Sequence, residues 1–426
     1  MTIHIVQSGE TIYSIADRYG VSVDRLILDN GILNPSRLVV GETIVILRPE
    51  MSYTIQEGDT LASIADKHEV TVFQLLRNNP YLSDREYIYP GEIIVISYEE
   101  DKIRTIATNA YVYPFVDMNT LRRTLPFLTY LTIYSYEVTK EGEINDIDDI
   151  EIIQTAKAYG VAPIMILMEE SQSIEEEIDV VHSILTSNEI QEQFFNNLFR
   201  ILEIKGYSGV TLNTPYILPT DRSLYEEFVI KFANRLSKAG YIVYDTFSIR
   251  IFQLLSGTIF EGIDYDRLAQ AVDGFTLISY GFGYSEGIPP GTTSMDTSRR
   301  FIDYSTKLIP SEKIEFGLST IGYLWEYPYI PNISVGRAIN YNSALEIAFE
   351  NNAKIQFDEV TNAAYFQYIS DNEYIARFLD ARSIDNFVKL VPEFGLKGIN
   401  IWNIMNWSPQ IWLVINSQYE IEKVML

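Results

Sequence analysis

Apolar and polar positions alternate in two different ways along the chain. Over roughly the first hundred residues, short strand-like runs flank amphipathic stretches, and the whole pattern occurs twice. Residues 5–16 read IVQSGETIYSIA and residues 54–65 read TIQEGDTLASIA. Gln7, Gly9, Thr11, Ser14, Ile15 and Ala16 therefore recur as Gln56, Gly58, Thr60, Ser63, Ile64 and Ala65. Each copy continues through an apolar segment, VSVDRLILDN or VTVFQLLRNN, and closes on VGETIVIL or PGEIIVIS. Thr11 and Thr60 suit helix N-caps, where a side-chain oxygen accepts an otherwise orphaned backbone N–H. The apolar positions after them follow helical spacing. Each repeat, 2–48 and 52–97, thus predicts a strand, two helices and a closing strand.

From about Arg104 the pattern changes. Apolar strand runs occur at IATNAYVYPF, LTYLTIYSYEV, APIMILM, GVTLNT, IVYDTF, GFTLISYGFG, IEFGLSTIGY and GINIWNI. Helical stretches such as DDIEIIQTAKAYG and DRSLYEEFVIKFANRLSKAG lie between them. This alternation predicts an α/β fold, a (β/α)8 TIM barrel over 103–426. The stretch 323–384 is too long for one crossover. It carries a helix, NYNSALEIAFENN, and strand runs around KIQFDE, AYFQYI and YIARFLD, so it reads as a small α+β insertion between strands seven and eight.

Composition narrows the partners. The formal net charge is -26, which disfavours nucleic acid and anionic surfaces, because phosphate binding needs clustered Lys and Arg. A neutral sugar polymer, held by aromatic faces and hydrogen bonds, remains compatible. With Cys 0, no disulfide or thiolate site is possible. His4, His68 and His182 have no metal-ligand spacing, and neither metal nor cofactor is expected. The chain opens straight into the repeat pattern, so no secretory signal peptide is expected, and no apolar run reaches membrane-spanning length.

The doubled Q-x-G-[DE]-T motif resembles the LysM family, whose modules bind N-acetylglucosamine polymers such as peptidoglycan or chitin. By that resemblance, the glycan groove lies between the loop after the first strand and the loop before the last. It would use Gly9, Glu10, Thr11, Asn30, Ile32 and Leu33 in the first repeat. The second would use Gly58, Asp59, Thr60, Asn79, Pro80 and Tyr81. The barrel segments DARS at Asp380–Ser383, GLKGINIW with Trp402, and P-x-D-R at 219–222 resemble glycoside hydrolase family 18. The likeness is to the spore cortex-lytic N-acetylglucosaminidases of endospore-forming bacteria, and it covers essentially the whole chain. It implies a place in the spore coat, cortex or cell wall, with peptidoglycan and spore coat proteins as partners.

Family 18 enzymes use the substrate's own acetamide as nucleophile, an exception to the usual two-carboxylate scheme. The resemblance implies a Glu at the end of strand four as acid, an Asp two residues earlier to orient the acetamide, and a further Asp opening the motif. A Tyr on strand six and a Trp on strand eight would bind the sugar. Here the motif reads S-G-V-T-L-N-T-P: Ser208 stands at the first Asp, Asn213 at the orienting Asp and Pro215 at the acid Glu. Tyr280 and Trp402 remain, with Asn213 as a further candidate substrate contact. Glu169, Glu170, Asp245, Glu286 and Glu326 are the carboxylates that could replace the acid. Three readings follow. The chain is a glycan-binding wall or spore protein with a pseudoenzyme barrel, a weak or altered N-acetylglucosaminidase acting on cortex during germination, or a coat scaffold that binds no sugar.

Overall fold

A computed structural model describes the whole chain except residues 100, 170, 172, 215–216, 248–250, 255–256, 261, 279–294, 331–332 and 425–426. The first repeat comprises β1 (Thr2–Ile5), α1 (Ile12–Tyr19), α2 (Val23–Asn30) and β2 (Thr43–Ile46). The second comprises β3 (Pro49–Thr54), α3 (Leu61–Lys67), α4 (Val72–Asn78) and β4 (Ile93–Tyr98). In each, the two strands pair antiparallel. Thr11 accepts the Ser14 N–H while the Ser14 side chain accepts the Thr11 N–H, and Thr60 and Ser63 repeat this reciprocal cap. Ile12, Ile15, Leu26 and Ile44 fill one small core; Ile64, Leu75, Leu76 and Ile94 fill the other.

The barrel begins with β5 (Arg104–Val112), α5 (Met118–Thr124), β6 (Tyr130–Val138), α6 (Ile150–Ala158) and β7 (Ala162–Glu169). It continues through α7 (Ile174–Thr186), α8 (Asn188–Lys205), β8 (Gly209–Leu212), α9 (Arg222–Lys238) and β9 (Ile242–Phe247). A hairpin, β10 (Ile251–Leu254) and β11 (Gly257–Phe260), follows strand five, where no separate element was expected. Then come α10 (Tyr265–Ala269), β12 (Gly274–Leu277), α11 (Met295–Ser305) and β13 (Ile314–Ser319). The insertion holds β14 (Gly322–Tyr327), β15 (Arg337–Ile339), α12 (Tyr341–Glu350), β16 (Gln356–Asp358), β17 (Ala363–Ile369) and β18 (Glu373–Phe378). The chain ends with α13 (Ala381–Val388), α14 (Leu390–Phe394), β19 (Gly398–Trp402), α15 (Pro409–Gln418) and β20 (Tyr419–Ile421).

Strands β5, β6, β7, β8, β9, β12, β13 and β19 pair in parallel, and β19 closes on β5. This is the expected eight-stranded barrel. Alternate residues face opposite ways along each strand. Val210, Leu212, Val243, Phe247, Phe275, Phe316 and Ile401 face out and pack with Phe195, Leu198, Phe232 and Leu236 of the surrounding helices. The run IEFGLSTIGY proves to be two strands. β13 ends at Ser319, and Thr320 turns the chain, its N–H donating to Trp402 O at 2.8 Å and its hydroxyl to Asn403 O at 2.9 Å. β14 then joins the insertion's own antiparallel sheet, in the order β15-β14-β18-β17-β16.

Both repeats are locked onto the barrel. Arg77, 4% exposed, reaches from α4 to Asn416 Oδ1 at 3.2 Å, Glu420 Oε2 at 3.2 Å and Pro126 O at 3.4 Å. Arg25 joins the repeats to each other, pairing with Asp29 at 2.7 Å and donating to Asn79 Oδ1 at 3.0 Å and Tyr98 Oη at 2.7 Å. The DARS motif has a structural role: Asp380 caps α13, and Arg382 pairs with Asp380 at 2.6 Å while donating to Gly41 O of the first repeat at 3.5 Å. No helix of the described residues is long and apolar enough to cross a membrane.

Candidate functional site

The mouth of the barrel lies at the C-terminal ends of its strands, where such barrels carry their chemistry. Strand alternation and register put Tyr113, Tyr134, Met168, Asn213, Thr246, Ile278, Ser319 and Trp402 at the inward positions of its upper level. Trp402 is partly exposed. Its ring meets Tyr111 at 5.1 Å, Tyr134 at 5.2 Å and Tyr113 at 6.0 Å between centroids, all edge-to-face. Tyr113 also stacks on Phe115, which is 78% exposed. Strands one, two and eight thus build an aromatic wall. An aromatic face matches the C–H face of a pyranose, and a phenol can also donate a directional hydrogen bond.

Asn213 lies across from this wall, because β8 and β19 are four strands apart in either direction around the barrel. Its N–H donates to Leu167 O at 3.2 Å, and its Oδ1 accepts the Thr246 hydroxyl at 3.1 Å. That leaves an amide at the mouth, able to hydrogen-bond a ligand but without the charge to oppose a developing cation. Ser208 is not at the mouth. It stands at the foot of β8, where its backbone bonds Pro163 O at 2.8 Å and the Ile242 N–H at 3.0 Å. Five residues of strand separate it from Asn213, about 16 Å. Pro215 and Tyr280 lie outside the described residues.

The candidate replacement acids fare poorly. Asp245 faces the helix layer: the Tyr225 hydroxyl donates to it at 3.3 Å and the Thr246 N–H at 2.8 Å. Glu169 also faces outward, lining a cavity with Leu185, Phe194 and Thr214. Glu326 lies on the insertion sheet against Asn372. Glu170 and Glu286 are outside the described residues. A further inward carboxylate, Glu315, lies within the strand run IEFGLS, where the apolar pattern gives no sign of a buried acid. It is fully buried, and burial pushes its carboxyl up, although Lys397, Tyr244 and Asn109 oppose this. Tyr244 donates to it at 2.7 Å and Asn109 at 3.2 Å. Glu315 pairs in register with Gly398, four residues below Trp402. That distance, about 13 Å, puts it on the barrel floor. Among the described residues, none of the upper inward positions is a carboxylate.

The repeat loops divide into buried and exposed members. Asn30 and Asn79 are 5% and 0% exposed. Each amide group donates to two backbone carbonyls, Leu26 O and Val45 O or Leu75 O and Val95 O. Each amide oxygen accepts the N–H of Val45 or Val95. These side chains clamp the second helix to the last strand, so their amides are engaged with backbone; Asn30 nevertheless borders a cleft beside Ile32 and Leu33, whereas Asn79 is fully buried. Glu10 and Asp59 are also held within the loop. Burial acts to raise Glu10, but the Gln7 N–H and His4 outweigh it and hold its carboxyl below the ordinary value. The Gln56 N–H, with Tyr53 assisting, does the same for Asp59. Gly9, Thr11, Gly58 and Thr60 are exposed, as is Leu33, while Ile32, Pro80 and Tyr81 are half-buried. The aromatic wall was legible in NAYVYPF and LTIYSY, because Tyr111, Tyr113 and Tyr134 share the inward parity of their strands.

Comparison with known proteins agrees with this fold. Residues 4–47 and 53–97 match the LysM domain, and residues 177–406, more than half of the chain, match glycosyl hydrolases family 18. The cortical fragment-lytic enzyme of Bacillus subtilis (strain 168) is 31% identical, covering 99% of each chain. The spore cortex-lytic enzyme SleL of Bacillus cereus superposes with a TM-score of 0.81 at 27% identity, covering 99% of this chain and 98% of that one. SleL of Bacillus megaterium also gives 0.81, at 26% identity and 99% of each chain.

Proposed function

Because the chain belongs to glycosyl hydrolases family 18 and carries two LysM domains, we propose that it binds the N-acetylglucosamine-containing peptidoglycan of the spore cortex without cleaving it. One observation carries this reading. At the mouth, an aromatic wall around Trp402 faces a neutral Asn213, and the described inward positions of that upper level supply no acid, the one inward carboxylate described, Glu315, lying on the barrel floor. A glycosidic oxygen leaves poorly unless it is protonated, and loss of a general acid typically costs about 10²–10⁴-fold. Pro215, at the acid's place in the motif, has no proton to give. The repeats tether the protein to glycan, and the barrel cleft reads an N-acetylhexosamine through Trp402, Asn213 and Tyr280.

A second reading has its own support. The full-length relative in Bacillus subtilis is named for lysis of cortical fragments, and the two superposing structures for cortex lysis. These names favour hydrolysis, and they weigh more for a cortex-lytic enzyme than for a pseudoenzyme. The side chains at the mouth weigh the other way. Binding and turnover separate the readings. The full chain mixed with cortex peptidoglycan is expected to co-sediment and to release no soluble muropeptide. Calorimetry with N-acetylglucosamine oligomers is expected to show a micromolar to millimolar Kd, about -8 to -4 kcal/mol. That barrel component disappears in a folded Trp402→Ala variant. Release of muropeptides establishes the enzymatic reading, and absence of glycan binding by the full chain leaves only the scaffold.

A further inference from the structure

The two repeats present equivalent loops to different surroundings. In the second, Tyr87 and Tyr89 of the loop before β4 are 62% and 57% exposed. In the first, the loop between α2 and β2 faces α12 of the insertion across a cleft of about 250 Å3. Ile32 and Leu33 stand on one side; Asn342, Leu345, Glu346 and Phe349 stand on the other.

The two walls are held in register. The Ile355 N–H donates to Val40 O at 2.9 Å, a backbone bond between insertion and repeat. Gly41 has a φ of +89°, and a Cβ there would come within 1.9 Å of Ile355 O, so the contact requires glycine. The Arg37 guanidinium of the repeat lies 5.2 Å from the centroid of the insertion's Phe349 ring, and Thr43 donates at 2.9 Å to Gln410 of α15, which fixes the repeat on the barrel. A cleft fixed in this way needs little ordering when a ligand enters, which favours binding.

We infer that this cleft is a composite sugar subsite, in which the loop between α2 and β2 of the first repeat forms one wall, the insertion helix forms the other, and the pair holds one N-acetylhexosamine unit; Gly9, Glu10 and Thr11 do not line it. The inference rests on the glycan-binding reading of the repeats. Leu33 and Phe349 offer apolar surface for the C–H faces of a pyranose. The Asn342 amide can donate to hydroxyl or acetamide oxygen, and the Glu346 carboxylate can accept from hydroxyl or acetamide N–H. The volume falls below the roughly 300–1,000 Å3 of sites that enclose a drug-sized ligand. It therefore suits a single saccharide unit, with the rest of the polymer passing out of the open ends.

Hydrogen exchange of the full chain with and without N-acetylglucosamine tetramer tests this. Slowed exchange is expected in both 31–42 and 341–350. Leu33 and Phe349 are 83% and 40% exposed, so Leu33→Ala and Phe349→Ala should keep the fold. Each is expected to weaken the tetramer's protection of both segments, with an affinity loss of about tenfold. Tyr81→Ala, in the second repeat, should leave protection of 341–350 intact. Protection of 31–42 with unchanged exchange in 341–350, and parental affinity in Phe349→Ala, would overturn the composite site while leaving the repeats as glycan binders. Absence of protection throughout 1–98 would overturn the glycan-binding reading and the composite site together.

Discussion

Glu42 and Glu92 close the same turn in the two repeats, yet only Glu42 is buried. Glu42 Oε2 accepts the Val39 N–H at 2.9 Å and Glu92 Oε2 accepts the Tyr89 N–H at 3.2 Å. Glu92 keeps a side-chain exposure of 30% and pairs with Arg85 at 2.8 Å, whereas Glu42 is 5% exposed beneath the insertion. The repeat sequence sets the turn, and the tertiary neighbours set the chemistry of the carboxyl.

A pH dependence follows from that difference. Burial pushes the Glu42 carboxyl up to about 7, against the pull of the Val39 N–H. An acid raised on folding binds more protons in the native state, so its stabilising effect is full below the unfolded value near 4.5. That effect is lost as pH rises through about 7. Glu42→Gln is therefore expected to stabilise the protein above pH 7, by at most about 3 kcal/mol, and to flatten the decline in stability between pH 5 and 8. Denaturant midpoints of parent and variant at several pH values check this. A variant less stable than the parent at pH 8 would contradict it.

Arg77 is expected to be the costliest single side chain to remove between the second repeat and the barrel. Arg77→Ala leaves Asn416 Oδ1 and Pro126 O without their buried donor and removes the ion pair to Glu420, which is 36% exposed and keeps Lys102 nearby. The expected loss is roughly 2–3 kcal/mol, mostly from the stranded buried acceptors. Urea unfolding monitored at several wavelengths measures it, and a loss below about 1 kcal/mol would show that the repeat is not anchored there.

Asn79→Ala should separate fold from recognition. It strands Leu75 O, Val95 O and the Val95 N–H in the interior, at a cost of roughly 1–3 kcal/mol. Its folded fraction is expected to bind peptidoglycan as the parent does. A stable variant with weakened glycan binding would return Asn79 to the groove.

Much of the fold was legible because the deciding interactions are local. The Thr11 and Thr60 caps lie within one turn of their partners, and the apolar runs of the eight barrel strands show directly in the sequence. The candidate site was less legible because it depends on which way side chains point. Asp245 and Glu169 lie near strand ends in sequence, but alternation turns both toward the helices. Asn30 and Asn79 look like loop polar groups until the last strand of each repeat supplies the backbone they bind. Glu315 was hidden in an apolar run, with partners 71 and 206 residues away in sequence.

Turnover of a defined glycan tests the central claim most directly. The full chain, in excess over a cortical muropeptide or an N-acetylglucosamine tetramer, is followed by mass spectrometry for new reducing ends. No product is expected from the parent beyond the uncatalysed background, while calorimetry on the same sample reports binding. Cleavage at rates typical of enzymes, on the order of 1 per second or more, would contradict the account and require an acid from outside the motif positions Ser208, Asn213 and Pro215.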